Sequence, residues 1–330
     1  MNKKNILLVS PYSLVNYGGV QNQILLSKKY LKEQSFDLKI FAHGSDDYHN
    51  VPPVFIRFNS SISNVSVKSD KLLLRDAIEW ADVIHIHEPF IPLVLWKLRT
   101  TKPIITTHHA ALNIFWSLLL KIIYKIYTRE LSITNISVSK LSYKQASSLR
   151  HNPIIIPNFI KISDKTSSNA EGSRITFLGR DEKRKGLSIF MNSIDSDIIN
   201  ELKPTVISNT LVDNKHVDSY MKICDEKKAN ILKQTKIFIA PNIKNESFGI
   251  VLLEAISNGA IVIASNIQPF QQVLGDSGIY FNKNNSKKLN VLIKKILNED
   301  MNSIWYKQYL HIHQYESHLV LDQIVDLYNI

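Results

Sequence analysis

Ile237-Phe-Ile-Ala-Pro241 followed, after four residues, by Glu246-Ser-Phe-Gly-Ile-Val-Leu-Leu-Glu254 reads as an apolar strand, a turn and a helix. The Ser-Phe-Gly turn opens the helix, and the first N–H groups of a helix have no partner of their own, so they suit an anion. Glu254 falls about two turns further on, with Leu252, Leu253 and Ile256 available to pack against a sheet. Glu246 and Glu254 accept hydrogen bonds from hydroxyls. Two carboxylates beside an anion site suit a polyhydroxylated, phosphorylated ligand such as a sugar nucleotide. An ordinary helix with an acidic start would leave the same trace.

The same strand–turn–helix rhythm extends in both directions. Strands are expected near 5–9, 37–41, 54–57, 82–87, 103–107, 133–138 and 153–156, with helices near 20–34, 69–80, 90–99, 112–130 and 139–149. Pro157-Asn158 and the polar stretch Ser163 to Ser173 then read as a linker. A second alternation begins at Arg174-Ile-Thr-Phe-Leu178, continues with strands near 205–208, 236–240, 260–264 and 278–281, and ends in a helix from Tyr315 to Tyr328. Alternating β and α elements predict parallel sheets with crossover helices. The fold class is therefore α/β, with two Rossmann-like domains facing each other across a cleft and ligands at the carboxyl ends of the strands. The expected division is 1–158, 159–314 and a C-terminal helix, 315–330, crossing back to the first domain.

The totals agree with a globular chain: 330 residues, 44% hydrophobic and 21% charged. The single cysteine, Cys224, excludes an internal disulfide and fits a reducing compartment. The apolar run near the start is only Ile6 to Val9, a first strand rather than a signal peptide, and no run is long enough to span a bilayer. A net charge of +11 asks for an anionic partner. The lysines are scattered and form no basic arm or zinc-finger spacing, which argues against nucleic acid. No residue pattern specifies an oligomeric state.

Three further features fall at strand ends. Pro11-Tyr-Ser-Leu-Val-Asn-Tyr-Gly-Gly-Val-Gln21 leads from the first strand into a helix, and Gly18-Gly19 lets backbone amides approach a phosphate. Val83-Ile-His-Ile-His-Glu-Pro89 puts His85 and His87 on one strand face. His108-His109 ends the next strand, yet no third ligand type at metal spacing follows, so no metal site is expected. His108 is the histidine expected at the mouth of the cleft. In Phe177-Leu-Gly-Arg-Asp-Glu-Lys-Arg-Lys-Gly186, Arg180 and Lys185 can neutralise a diphosphate, Arg by its fork and Lys as a point charge. A solvated charge run is the plain alternative.

Segment 112–130 carries Lys121, Lys125 and Arg129 at intervals of four on an otherwise apolar and aromatic helix. Such a helix can lie in an anionic bilayer interface or be a core helix with one wet face. Lys68, Lys71 and Arg75 on the preceding surface helix would extend a basic patch.

Gly-Gly-Val-Gln, Arg180 with Lys185, and the Glu pair at 246 and 254, in that order, resemble glycosyltransferase family 4, retaining sugar transferases with the GT-B fold. The resemblance runs from Ile6 to Tyr328. Within the family, Pro-Tyr-Ser, His-Ile-His-Glu-Pro and Glu-Ser-Phe-Gly-Ile-Val-Leu-Leu-Glu-Ala look closest to the actinobacterial phosphatidylinositol α-mannosyltransferases. The resemblance implies GDP-mannose as substrate, its diphosphate held by Arg180, Lys185 and the Gly18-Gly19 amides. Ser247, Phe248, Gly249 and Ile250 would form the turn at the donor, Glu246 would meet the sugar hydroxyls and Glu254 the ribose. His108 would lie beside the anomeric centre and, with Tyr12 and Gln21, on the acceptor side. No tightly bound cofactor is implied; a divalent cation such as Mg can accompany the diphosphate without being required. Partners would be the nucleotide sugar and an anionic phospholipid surface, reached peripherally from the cytoplasmic side. Three departures stand out: Phe90 where the mannosyltransferases carry Asn, His109-Ala-Ala-Leu-Asn113 where they carry hydroxyls and Lys, and Ile207-Ser-Asn-Thr210 in place of a Gly-rich loop. A family member acting on another glycolipid or polysaccharide acceptor, or a non-enzymatic sugar-nucleotide-binding relic, are the competing readings.

Overall fold

The computed structural model describes residues 3–15, 18–34, 36–58, 61–91, 98–109, 114–147, 152–163 and 167–329. The helix expected near 90–99 lies largely outside them. The chain divides into two compact units, Met1–Phe159 with Ser317–Ile330, and Ile160–Glu316.

In the first unit the chain forms β1 (Lys4–Val9), α1 (Gly19–Glu33), β2 (Phe36–Ala42), β3 (Tyr48–His49), β4 (Val54–Phe58), β5 (Ser61–Val65) and α2 (Lys71–Trp80). It continues through β6 (Val83–His87), β7 (Ile104–His108), α3 (Ile114–Tyr127), β8 (Ile133–Ser137), α4 (Lys140–Ala146) and β9 (Ile154–Ile155). Seven strands form one sheet in the order β3-β2-β1-β6-β7-β8-β9, and every recorded pairing in it is parallel. Both faces are covered, so the strands are apolar on both sides. Leu7, Val9, Ile84 and Ile86 pack on one face, Ile6, Leu8, Val83 and Ile105 on the other. Asp70 caps α2 through Leu72 N and Leu73 N, so this helix starts at Lys71 and Lys68 precedes it.

The second unit contains β10 (Arg174–Leu178), α5 (Leu187–Ser193), α6 (Ser196–Glu201), β11 (Lys203–Ser208), β12 (Asp218–Met221), α7 (Asp225–Lys233) and β13 (Thr235–Ala240). After these come α8 (Ile250–Ser257), β14 (Ile261–Ser265), α9 (Gln268–Leu274), β15 (Ile279–Phe281), α10 (Ser286–Leu297) and α11 (Met301–Ile312). Its sheet order, β12-β11-β10-β13-β14-β15, is that of a Rossmann domain, with the order reversing between β10 and β13. Gln308, fully buried on α11, accepts from Val262 N and donates to Val262 O, both at 2.9 Å, satisfying a central strand where helix meets sheet. The last helix, α12 (Ser317–Tyr328), belongs to the first unit, where Val320, Leu321, Ile324 and Tyr328 join the core beside α1.

The polar stretch expected to be a linker is instead fastened into the second unit where it is described. The Asn169 amide donates to three carbonyls, those of Leu232, Thr235 and Asn258, and Ser168 bonds Asn302. Polarity here serves backbone carbonyls left over at helix and strand ends. The short edges β3, β5 and β12 were not expected.

Candidate functional site

The donor-side residues gather where the second sheet reverses its order. β10 ends at Leu178 and runs into Gly179-Arg180, while β13 ends at Ala240 and runs into the turn that carries Glu246. Lys185 and Glu246 meet there, Nζ to Oε2 at 2.6 Å, and Asn242 Nδ2 donates to the same oxygen at 2.7 Å. Asn242 is itself fixed by Ser265 Oγ, which donates to its carbonyl at 2.5 Å. Burial alone would raise the Glu246 pKa. The charge and hydrogen bond of Lys185, with Arg184 behind, outweigh it and hold the carboxyl below its usual value.

The charge run does not behave as one solvated face. Arg184 is buried, paired through Nε with Glu182 at 2.7 Å, and donates to Asn245 O at 3.0 Å. It ties the loop after β10 to the turn after β13. Arg180 also pairs with Glu182, at 3.1 Å, but its side chain is 42% exposed and so open to a ligand phosphate. Asn245 (φ 55) and Gly249 (φ 102) give that turn its left-handed corners.

Gly186 has φ 78, and a Cβ there would lie 2.1 Å from Pro241 O. Glycine is thus required where the two loops touch. Gly186→Ala is expected to destabilise the second unit by roughly 1–3 kcal/mol from backbone conformation alone, with the clash adding to this; a urea denaturation curve checks it.

Gly249 N-caps α8 without a side-chain cap bond, as does Gly18 at α1, so both helix starts leave N–H groups for an anion. Ile250 begins α8, and Phe248 beside it is buried against Tyr315. Glu254 pairs with Lys228 at 3.0 Å, and Lys228 also reaches Asp225 at 3.1 Å. Sequence reasoning missed Lys228, Asn242 and the bracing role of Arg184. Lys228 lies seven residues before the first residue of β13, with no spacing to link it to Glu254.

In the first unit, Tyr12 pairs by a bridge with Val65, and Gln21 Nε2 donates to Ser13 O at 3.3 Å. Four histidines are buried in or just after β6 and β7. His85 bonds Tyr328 Oη at 2.6 Å and Thr107 Oγ1 at 2.7 Å, stacking on His87. His87 Nδ1 is 3.0 Å from His109 Nε2, so one ring donates to the other. His108 turns to the opposite face, into the core against Phe90 and Tyr124, with Nε2 3.4 Å from Asn135 Oδ1. His109 follows the last residue of β7, nearer the carboxyl end where a ligand would lie. Burial lowers all four, His85 to about 3, His108 to about 4, and His87 and His109 well below the usual histidine value. Glu88, buried at the strand end, adopts φ 54, unusual for a residue with a Cβ. Among the described residues, no group of three or more His, Cys, Asp or Glu side chains is arranged to hold a metal ion.

Lys68, Lys71, Arg75, Lys125 and Arg129 are exposed and Lys121 is half-buried; Arg75 pairs with Glu79. Among the described residues, no helix is long and apolar enough to cross a membrane.

The two Rossmann-like units have the GT-B fold seen in solved glycosyltransferases. Residues 17–164 match the model of Glycosyltransferase Family 4 and residues 158–311 that of Glycosyl transferases group 1. The chain is 31% identical to a phosphatidyl-myo-inositol mannosyltransferase of Propionibacterium freudenreichii, over 82% of this chain and 79% of that one. The chain belongs to glycosyltransferase family 4. In structure it is similar to a glycosyltransferase from Rickettsia africae (TM-score 0.72, 16% identity, 100% of this chain and 98% of that one). It is also similar to Anabaena HepE in complex with UDP-glucose (TM-score 0.71, 12% identity, 98% and 99%).

Proposed function

We propose that the protein transfers mannose, with retention, from GDP-mannose to the inositol of phosphatidylinositol at the cytoplasmic face of the cell membrane. The observation that carries this reading is the Lys185–Glu246 pair at the switch point of the second sheet. The name of the Propionibacterium relative, a phosphatidyl-myo-inositol mannosyltransferase, supports mannose as the sugar transferred and phosphatidylinositol as the acceptor. Lys185 and Arg180 neutralise the diphosphate, Glu246 accepts from sugar hydroxyls and Glu254 from the ribose. The turn Ser247–Ile250 lends its amides.

The glycosidic C1–O bond to phosphate breaks, an acceptor oxygen bonds C1 on the same face, and the acceptor proton passes to the departing phosphate oxygen. Catalysis of this kind rests on positioning and on leaving-group charge, and two fixed cations supply that without a resident metal. A Mg ion accompanying the diphosphate is compatible with this scheme. In the first unit, Tyr12 and Gln21 are acceptor-side candidates, and Gly18 and Gly19 present amides to an anionic group. His108 belongs to this set only if its ring leaves the core. Lys68, Lys71, Arg75, Lys121, Lys125 and Arg129 supply charge toward anionic lipid.

A second reading, the same chemistry on a different glycolipid or polysaccharide acceptor, draws on Phe90, an apolar ring buried against His108 and Tyr124. The test is radiolabelled GDP-mannose with liposomes containing phosphatidylinositol. Labelled lipid is expected. Label transferred only to another acceptor, or only from another nucleotide sugar, would replace the substrates named here. Nucleotide binding without any transfer would favour a non-enzymatic relic.

A further inference from the structure

Helix α3 turns one side to the core and leaves an apolar row on the other. Tyr124 is 2% exposed and packs in the core with Leu120 against it, and Thr128, on the same row, is buried and donates to Tyr124 O. Leu118, Ile122 and Ile126 are 64%, 52% and 66% exposed. At about 100° per residue, Ile122 points roughly 200° away from Tyr124, so this row cannot share the core that holds the helix. Single exposed aliphatics are ordinary on a protein surface, but three on one row form a stripe.

Beside the stripe runs a second row. Lys121 and Lys125 repeat at the same spacing, about 60° around the axis from Leu118 and Ile122, and Arg129 continues the row in the turn that follows. Residues 114–129 contain no Asp or Glu. An apolar row bordered by cations on one side is the pattern of a helix lying in a lipid interface. Charge decides between occupants. A second copy docking by this face would bring two sets of three cations together in a chain that already carries +11, whereas anionic lipid would neutralise them.

We infer that α3 docks in the plane of an anionic bilayer, with Leu118, Ile122 and Ile126 at the acyl boundary and Lys121, Lys125 and Arg129 at the phosphates. This deepens the membrane part of the function proposed above and rests on it. It makes association partly insertion, so that part of the binding survives high salt.

The test uses the full chain and vesicles of phosphatidylcholine with phosphatidylglycerol. The variant Leu118→Ser/Ile122→Ser/Ile126→Ser changes only exposed positions, and circular dichroism confirms that it folds. Its vesicle affinity is expected to fall on the order of tenfold or more at both low and high salt, from the lost apolar burial. Replacing Lys121, Lys125 and Arg129 by Ser is expected to weaken binding at low salt and to leave the salt-resistant part. In parallel, Cys224→Ser/Ile122→Cys carrying an environment-sensitive fluorophore is expected to shift to the blue on adding vesicles. Unchanged affinity of the triple-serine variant together with an unshifted label would overturn the inference while leaving membrane association standing. Absence of any vesicle binding by the native chain would instead remove the membrane reading itself. A concentration-dependent dimer that the triple-serine variant abolishes would also overturn it, in favour of a second copy.

Discussion

Lys185→Met is expected to lower sugar transfer by roughly a thousandfold and to destabilise the second unit at the same time. The activity loss follows from removing one fixed charge at the leaving group, where loss of a single oxyanion donor costs about 10²–10³ in rate. The stability loss has a separate origin. Both side chains of the pair are largely shielded, 17% and 15% exposed, so the variant leaves the Glu246 carboxylate in a poorly solvated place without its ion-pair partner, held only by hydrogen bonds from Asn242 and the Ser247 backbone and by the more distant Arg184 charge. Removing one partner of a buried pair typically costs about 3–5 kcal/mol. Adding Glu246→Gln removes the stranded charge, so the double variant should regain most of the stability and none of the activity. Urea denaturation beside a transfer assay separates the two. If the double variant recovered activity along with stability, the pair would be structural and the donor site would lie elsewhere.

The second large effect is acid sensitivity of the first unit. His85, His87, His108 and His109 are held neutral by burial, while in the unfolded chain each titrates near 6.5. Above about pH 6.5 neither state binds these protons and the folded chain keeps its full stability. As pH falls below 6.5, the unfolded chain takes up protons that the folded rings refuse. Stability then drops until the rings themselves protonate, near 4 for His108 and near 3 for His85. Each ring contributes up to about 1.4 kcal/mol per pH unit, so four together approach about 5–6 kcal/mol per unit. That is comparable to the whole stability of an ordinary domain. Unfolding midpoints of the first unit should therefore fall steeply between pH 6.5 and 5, and His108→Gln should flatten the slope by about a quarter. A midpoint that stays level across this range would mean that the rings are not buried in the neutral form.

Much of the architecture was readable before the structure. Apolar strands such as Ile237–Ala240 and Ile104–Thr107 announce themselves because a parallel sheet buries both faces. The edge strands Ser61–Val65 and Asp218–Met221 do not, since an edge needs backbone partners more than apolar side chains. Glu246 and Glu254 were visible through a strand-turn-helix unit of fixed spacing. Their counter-ions were only half visible. In Lys183-Arg184-Lys185 nothing local says that Arg184 turns inward while Lys185 reaches the carboxylate; contact with Asn245 and Glu246, some sixty residues later, decides it. Nothing local to Gly186 says that Pro241 O occupies the place of its missing side chain. The adjacent His108 and His109 show the limit most sharply. Strand alternation sends them to opposite faces, but which face is core depends on Phe90 and Tyr124, on elements that sequence spacing does not connect.

The central claim is that the second unit holds the donor through Lys185 and Glu246, and calorimetric titration with GDP-mannose tests it most directly. The native chain should bind, and the folded double variant Lys185→Met/Glu246→Gln should bind about 10–100-fold more weakly, the loss expected for charge-assisted hydrogen bonds worth about 1.5–3 kcal/mol. Equal affinity in the two proteins would contradict the account.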